Sequence, residues 1–193
     1  MNKPEFPVWY AMRATYRREL DAKELLDKAS IGCFIPMHYR ICVKGKQKKR
    51  EFVPVIHNLI FVYAKPSEIQ RVKKDIPYLQ YMMDSREGTK IVVPEEQMRR
   101  FIAVAGTYDD QLLYFKPEEL NLAKGTRVRI CGGDFEGQEG IFLKVKGARD
   151  RRVVVLIQGV IAVAMATISP DLIEVLPDEK PLKRSRPKHA EEQ

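Results

Sequence analysis

The chain has 193 residues, 45% of them apolar and 31% charged, a globular rather than a disordered balance. It holds no apolar run approaching the roughly 18–20 residues that span a bilayer, and no basic-then-apolar start of the secretory kind. Three cysteines, Cys33, Cys42 and Cys131, form no CxxC pair, which argues against a disulfide framework or structural zinc and for a reducing, cytoplasmic setting. A formal charge of +8 favours a polyanionic partner, and it is unevenly spread. Residues 1–110 carry 20 basic against 14 acidic side chains, residues 111–177 carry 9 against 8, and the tail 178–193 carries 5 against 4. Two units with different tasks are the simplest reading.

In chain order, VWYAMRA at 8–14 reads as a strand. Ala22, Leu25, Leu26 and Ala29 share one helical face, which Gly32 ends. Residues 33–43 read as a strand interrupted by Pro36. The stretch KGKQKKR, 44–50, is a basic hairpin, and LIFVYA, 59–64, is the strongest strand. Pro66 opens a second helix with Ile69, Val72 and Ile76 on one face. Short strands are expected at 78–83 and 91–93. Pro94, at the first helical position, begins a third helix with Met98, Phe101, Ile102 and Ala105 inward and Gly106 as its stop.

The order β-α-β-β-α-β with an added helix predicts an α+β fold of the ferredoxin-like split βαβ type. Along 59–63, Leu59, Phe61 and Tyr63 alternate with Ile60 and Val62, so both faces of the strand are apolar. Either the strand is covered on both sides, or one side is an exposed patch that docks a partner.

Residues 109–123 read as a linker. Beyond them, at 124–177, short β-branched runs are broken by Gly, Asp or Pro about every ten residues, the texture of a small five-stranded SH3-like barrel. Gly125, Gly133, Gly137 and Gly140 lack the GK[ST] of a phosphate loop and precede a strand rather than a helix. They therefore read as turns and close strand approaches. AVAMAT, 162–167, tolerates a helix, but its β-branched neighbours favour strand. The tail 178–193 reads as a disordered basic segment. His38, His57 and His189 stand apart from any nucleophile with a base and an orienting acid, so the sequence offers no enzyme site, metal cluster or cofactor box.

KGTRVRICGGDFEGQEGIFLKVKG at 124–147 looks like a KOW motif. Joined to the leading WYAMRA and the central VPVIHNLIFVY, it resembles the NusG family of transcription elongation factors, nearest the specialised UpxY-like paralogues, with RfaH more distant. In place of the Pro-Asn or Pro-Gly usual before the central strand, this chain has His57-Asn58.

The resemblance implies an NGN-type polymerase-binding domain over 1–108 and a KOW barrel over 124–177. The clamp helices of RNA polymerase would meet Tyr10, Ile56, Leu59, Phe61 and Phe101, with Gln70 near the polymerase gate loop. The cations Arg17, Arg18, Arg71, Lys73 and Lys74 would face non-template DNA or nascent RNA. So would Lys44, Lys46, Lys48, Lys49 and Arg50 of the hairpin, whose mutual repulsion also calls independently for an anionic partner. Ile157, Gln158 and Val160, at the tip of a barrel hairpin, would meet a further partner such as a ribosomal protein. The aromatic and arginine that the housekeeping factor carries there are absent, which disfavours Rho. The expectation is a monomeric, membrane-free antitermination factor for capsular polysaccharide operons. The alternatives are a general KOW-type nucleic-acid- or ribosome-binding protein and the housekeeping NusG.

Overall fold

A computed structural model describes residues 5–177 apart from 46, 117–118, 147, 158–159, 166–167 and 169. Lys46, Gln158 and the basic tail therefore lie outside the described residues.

The first unit begins with β1 (Val8–Ala14), then α1 (Glu19–Lys28) and β2 (Gly32–Phe34). A ribbon of β3 (Met37–Lys44) and β4 (Gln47–Pro54) follows, then β5 (Leu59–Ala64), α2 (Pro66–Asp75), β6 (Leu79–Tyr81), β7 (Val92–Val93) and α3 (Glu95–Ala105). Pro36 splits the stretch expected as one strand into β2 and β3, because proline gives no ladder donor. Strands β2, β5, β1 and β6 hydrogen-bond in that order, every pair antiparallel, and β7 adds to β1. Among the described residues the ribbon strands pair only with each other.

Local chemistry sets the helices. At the start of α2 the Lys65 backbone N–H donates to the Glu68 carboxylate at 2.9 Å, and Pro66 occupies the first turn where no N–H is needed. Pro94 sits at the cap of α3 in an extended conformation rather than inside the helix, and Glu95 and Glu96 meet the positive end of its dipole. Gly106 ends α3: a Cβ there would lie 2.6 Å from the Ile102 carbonyl oxygen.

The alternation of β5 decides the packing. Ile60, Val62 and Ala64 join Tyr10, Met12 and Ala14 of β1 beneath Leu26 of α1 and Ile69 and Val72 of α2. Leu59, Phe61 and Ala11 point to the other side, where Met98, Phe101, Val104 and Ala105 of α3 cover them. The sheet thus carries helices on both faces, and the doubly apolar strand is a buried central one.

The second unit contains β8 (Leu113–Phe115), β9 (Thr126–Ile130), β10 (Glu139–Lys144), β11 (Arg151–Ile157), β12 (Ile161–Ala164) and β13 (Ile173–Val175). Its antiparallel order is β13-β9-β10-β11-β12-β8. The segment expected as linker therefore supplies a sixth strand: Leu113, Tyr114 and Phe115 pair with Ala164, Val163 and Ala162. Residues 162–164 are strand. Gly140 is required by contact, since a Cβ there would meet the Val154 carbonyl oxygen at 2.6 Å. Gly133 and Gly137, at φ 79° and 78°, shape the turn between β9 and β10.

The two units share one core. α3 packs on β11 and β12, so Phe61 and Phe101 belong to the same buried cluster as Val128, Val153, Val155, Ile157 and Ile161.

Candidate binding surfaces

The residues expected to meet the polymerase divide among three environments. Phe61 and Phe101 are fully buried, their rings 5.9 Å apart, and Phe34 stands edge-on to Phe101 at 6.2 Å. Leu59 is buried and Ile56 half-buried, and both line a cleft with Arg13, Met82 and Val160 of the second unit. Tyr10 lies on the opposite face of the sheet, stacked edge-on against Tyr81 at 5.3 Å. The expectation of an exposed apolar patch is thus corrected. The side of β5 bearing Phe61 is closed by α3, and the outer side of α3 is closed by the second unit. Tyr10 cannot share a face with Phe61, because its partner across the ladder is Val62 and opposed residues point the same way. Gln70 is exposed on α2, which packs on the opposite face of the sheet from this cluster.

Of the residues expected at the hairpin tip, Ile157 and Val160 face inward. Val160 shares the cleft with Ile56 and Leu59, and Ile157 lines another with Val93, Pro94 and Gln97. Both are buried. A charged contact joins the units as well: Arg100 of α3 reaches Glu139 of β10 at 3.1 Å, and Arg129 reaches the same carboxylate at 2.7 Å. The Arg129 hydrogen bond, with Arg100 and Arg127 nearby, holds the Glu139 carboxyl below the usual carboxylate range.

The cations form two groups. Lys48, Lys49 and Arg50 lie exposed along β4, and Lys44 ends β3 across a turn through Gly45 at φ 61°. The second group lies before the start of α1 and along the C-terminal half of α2. Arg17 is exposed, and its backbone N–H donates to Asn58 Oδ1 at 2.7 Å. Arg18 stacks 3.7 Å over Tyr78 and pairs with Asp21 at 3.0 Å. Arg71 and Lys74 are exposed, while Lys73 lies 4.2 Å from the Tyr81 ring centre.

Two features escaped the sequence. Lys90 approaches the same Tyr81 ring at 4.1 Å. Burial, then Lys90, push the Lys73 ammonium below its ordinary range, so two like charges are held on one ring. The turn after β1 holds Tyr16 and Arg17 at φ 63° and 57°, with the Tyr16 ring 87% exposed. Side chains seldom adopt that left-handed conformation without a reason, and such strain concentrates at functional positions. No short motif announces it. Burial raises the Cys33 thiol to about 11, which makes it a packing residue at neutral pH. Among the described residues no cluster of His, Cys, Asp and Glu could hold a metal, and no helix is long and apolar enough to cross a membrane.

Shared hydrophobic packing between two units, with a basic two-stranded ribbon, defines a protein of mixed α/β architecture. Residues 7–102 match the family model described as "Transcription termination factor nusG", so this part of the chain is a NusG-family domain. Factors of that family act on transcription and bind RNA polymerase. Among solved structures, one titled "Domain interaction in Thermotoga maritima NusG" aligns at 22% identity and a TM-score of 0.45, covering 89% of this chain and 98% of that one. No curated protein matches the chain.

Proposed function

We propose that the chain is a two-domain elongation factor whose ferredoxin-like, NGN-type first unit binds the clamp helices of RNA polymerase, and whose second unit is a KOW-type SH3-like barrel. The docking surface in this reading is the outer side of α3 with Leu59 and Ile56, and Phe61 and Phe101 form the packed floor beneath it. The observation that carries the reading is the family match over 7–102 combined with the apolar cover that the second unit lays on α3. Docking then requires the second unit to swing aside. The same opening would free Ile157 and Val160 for a further protein partner, so the two surfaces mask one another until the polymerase competes.

Binding across the polymerase cleft disfavours the paused state only through unequal affinity for the two states. The basic ribbon and the cations around α1 and α2 would supply the nucleic-acid contacts that restrict the factor to particular operons, as in antiterminators of capsular polysaccharide clusters. The test is capture of core polymerase by the full chain. Leu59→Asp and Ile56→Asp should abolish capture, and Arg100→Ala, which loosens the cover, should increase it several-fold. Capture that survives both aspartates would overturn the docking surface. Chromatin immunoprecipitation then separates a specialised factor, confined to one or a few operons, from a housekeeping one spread along most genes.

A further inference from the structure

The β3–β4 ribbon has a face unlike the rest of the surface. Register places Tyr39 opposite Phe52, Ile41 opposite Arg50, and Val43 opposite Lys48, so these six side chains share one side. Ile41 and Val43 are 67% and 63% exposed. Tyr39 and Phe52 stack at 4.8 Å with both rings partly open to solvent, and the Arg50 guanidinium lies 3.9 Å over Tyr39. Apolar side chains alternating with cations fit a partner that is anionic and also offers flat apolar surfaces. Unpaired nucleotides have both properties, since phosphates take Lys48 and Arg50 while base faces stack on the rings and the guanidinium plane. A duplex hides its base faces.

One segment already lies against this face. Residues 107–112 run from the end of α3 into β8. Tyr108 meets Phe52 edge-on at 4.9 Å, and the Asp110 carboxylate lies 3.2 Å from Arg50. The next residue is held by the second unit, where Arg152 of β11 donates to the Gln111 carbonyl at 2.9 Å. The strap therefore ties the ribbon to the unit that covers α3, and it sets a carboxylate where a phosphate would bind.

We propose that the Tyr39–Phe52–Arg50 face is a stacking platform for single-stranded nucleic acid, and that Asp110 occupies its guanidinium while the molecule is closed. The strand and the Asp110 carboxylate then compete for one guanidinium, so strand binding and release of the strap favour one another by the same factor. The proposal rests on reading the ribbon as a nucleic-acid surface and adds which chemical form it takes.

The test is fluorescence anisotropy of the full chain with a labelled oligothymidylate 12-mer, an oligouridylate 12-mer and a 12-base-pair duplex at one low salt concentration. Tyr39→Leu with Phe52→Leu keeps apolar bulk but removes both rings. It should weaken binding of both single strands about tenfold or more and leave duplex binding unchanged. Asp110→Asn should strengthen single-strand binding a few-fold. Equal losses for strand and duplex, or none, would overturn the platform, and an Asp110→Asn variant binding as the parent would overturn the masking. Lys48→Glu with Lys49→Glu reports separately on the underlying reading, since it should weaken strand and duplex alike. If the ring variants instead keep oligonucleotide binding and lose polymerase capture, the face docks protein and the proposal fails.

Discussion

The outer side of α3 and the face of the β3–β4 ribbon are both apolar, yet one is sealed and the other stands in water. On the first, the cation Arg100 is already paired with Glu139 of the second unit, and Met98, Phe101 and Val104 of the same helix are fully buried. The second interleaves Tyr39, Ile41, Val43 and Phe52 with Arg50 and Lys48. Apolar area free of charge gains most from leaving water, at roughly 25 cal/mol per Å², whereas covering the ribbon would also strip water from its cations. A mostly apolar surface whose cation is already paired can lie under the neighbouring unit. A surface laced with charge waits for a partner that brings its own counter-charges.

The sharpest way to break this contrast is to remove one ring from each side. Phe101→Ala should destabilise the protein by about 3–5 kcal/mol, because it opens a cavity in a core shared by both units. Phe52→Ala, on a half-open ribbon, should fall below about 1.5 kcal/mol. Urea denaturation of the two variants measures the difference, and comparable losses would mean that the ribbon is structural rather than waiting.

A smaller effect is expected at the charged seam. The Glu139 carboxyl is held low in the folded protein, so it stabilises the folded form above the ordinary carboxylate pKa of about 4.3. That contribution is lost as pH falls through the depressed folded value. Glu139→Gln should remove about 1 kcal/mol at pH 7, with its partners half exposed, and should flatten the acid limb of stability between about pH 5 and 3. Thermal melts across that range check it, and an unchanged acid limb would show the seam to be idle.

Smallest of all is the strained turn. Tyr16→Gly relieves a left-handed conformation at a site where an 87% exposed ring packs on little, and should raise stability by up to about 1 kcal/mol. The same variant should lower single-strand binding if the strain is kept for contact. A gain in melting temperature with unchanged binding would leave the strain unexplained.

The helices were legible because their apolar residues repeat every three or four positions and Pro66, Pro94 and Gly106 punctuate them. Pro36 and Gly140 were legible for the same reason, each marking a place where the backbone tolerates only one chemistry. β8 was not, since the three residues Leu113–Phe115 are too few to establish a period, and their strand form depends on a partner about fifty positions away. The side chosen by Tyr10 depends on register with β5, which resemblance alone does not supply. The doubly apolar run at 59–63 left open whether both faces were covered or one was exposed, because what covers a strand is a long-range contact that no local pattern encodes. The ribbon was read as a cluster of positive charge. Its aromatic face emerged only when pairing brought Tyr39 beside Phe52, thirteen residues apart.

Only seven residues, 106–112, separate the end of α3 from the start of β8, a reach of roughly 23–25 Å when fully extended. A displaced second unit therefore stays on a short leash, at a local concentration in the millimolar range. Any molecule seated on α3 must outbid a rival that never diffuses away. In the proposed open state, once that molecule departed the second unit would fall back by a first-order step.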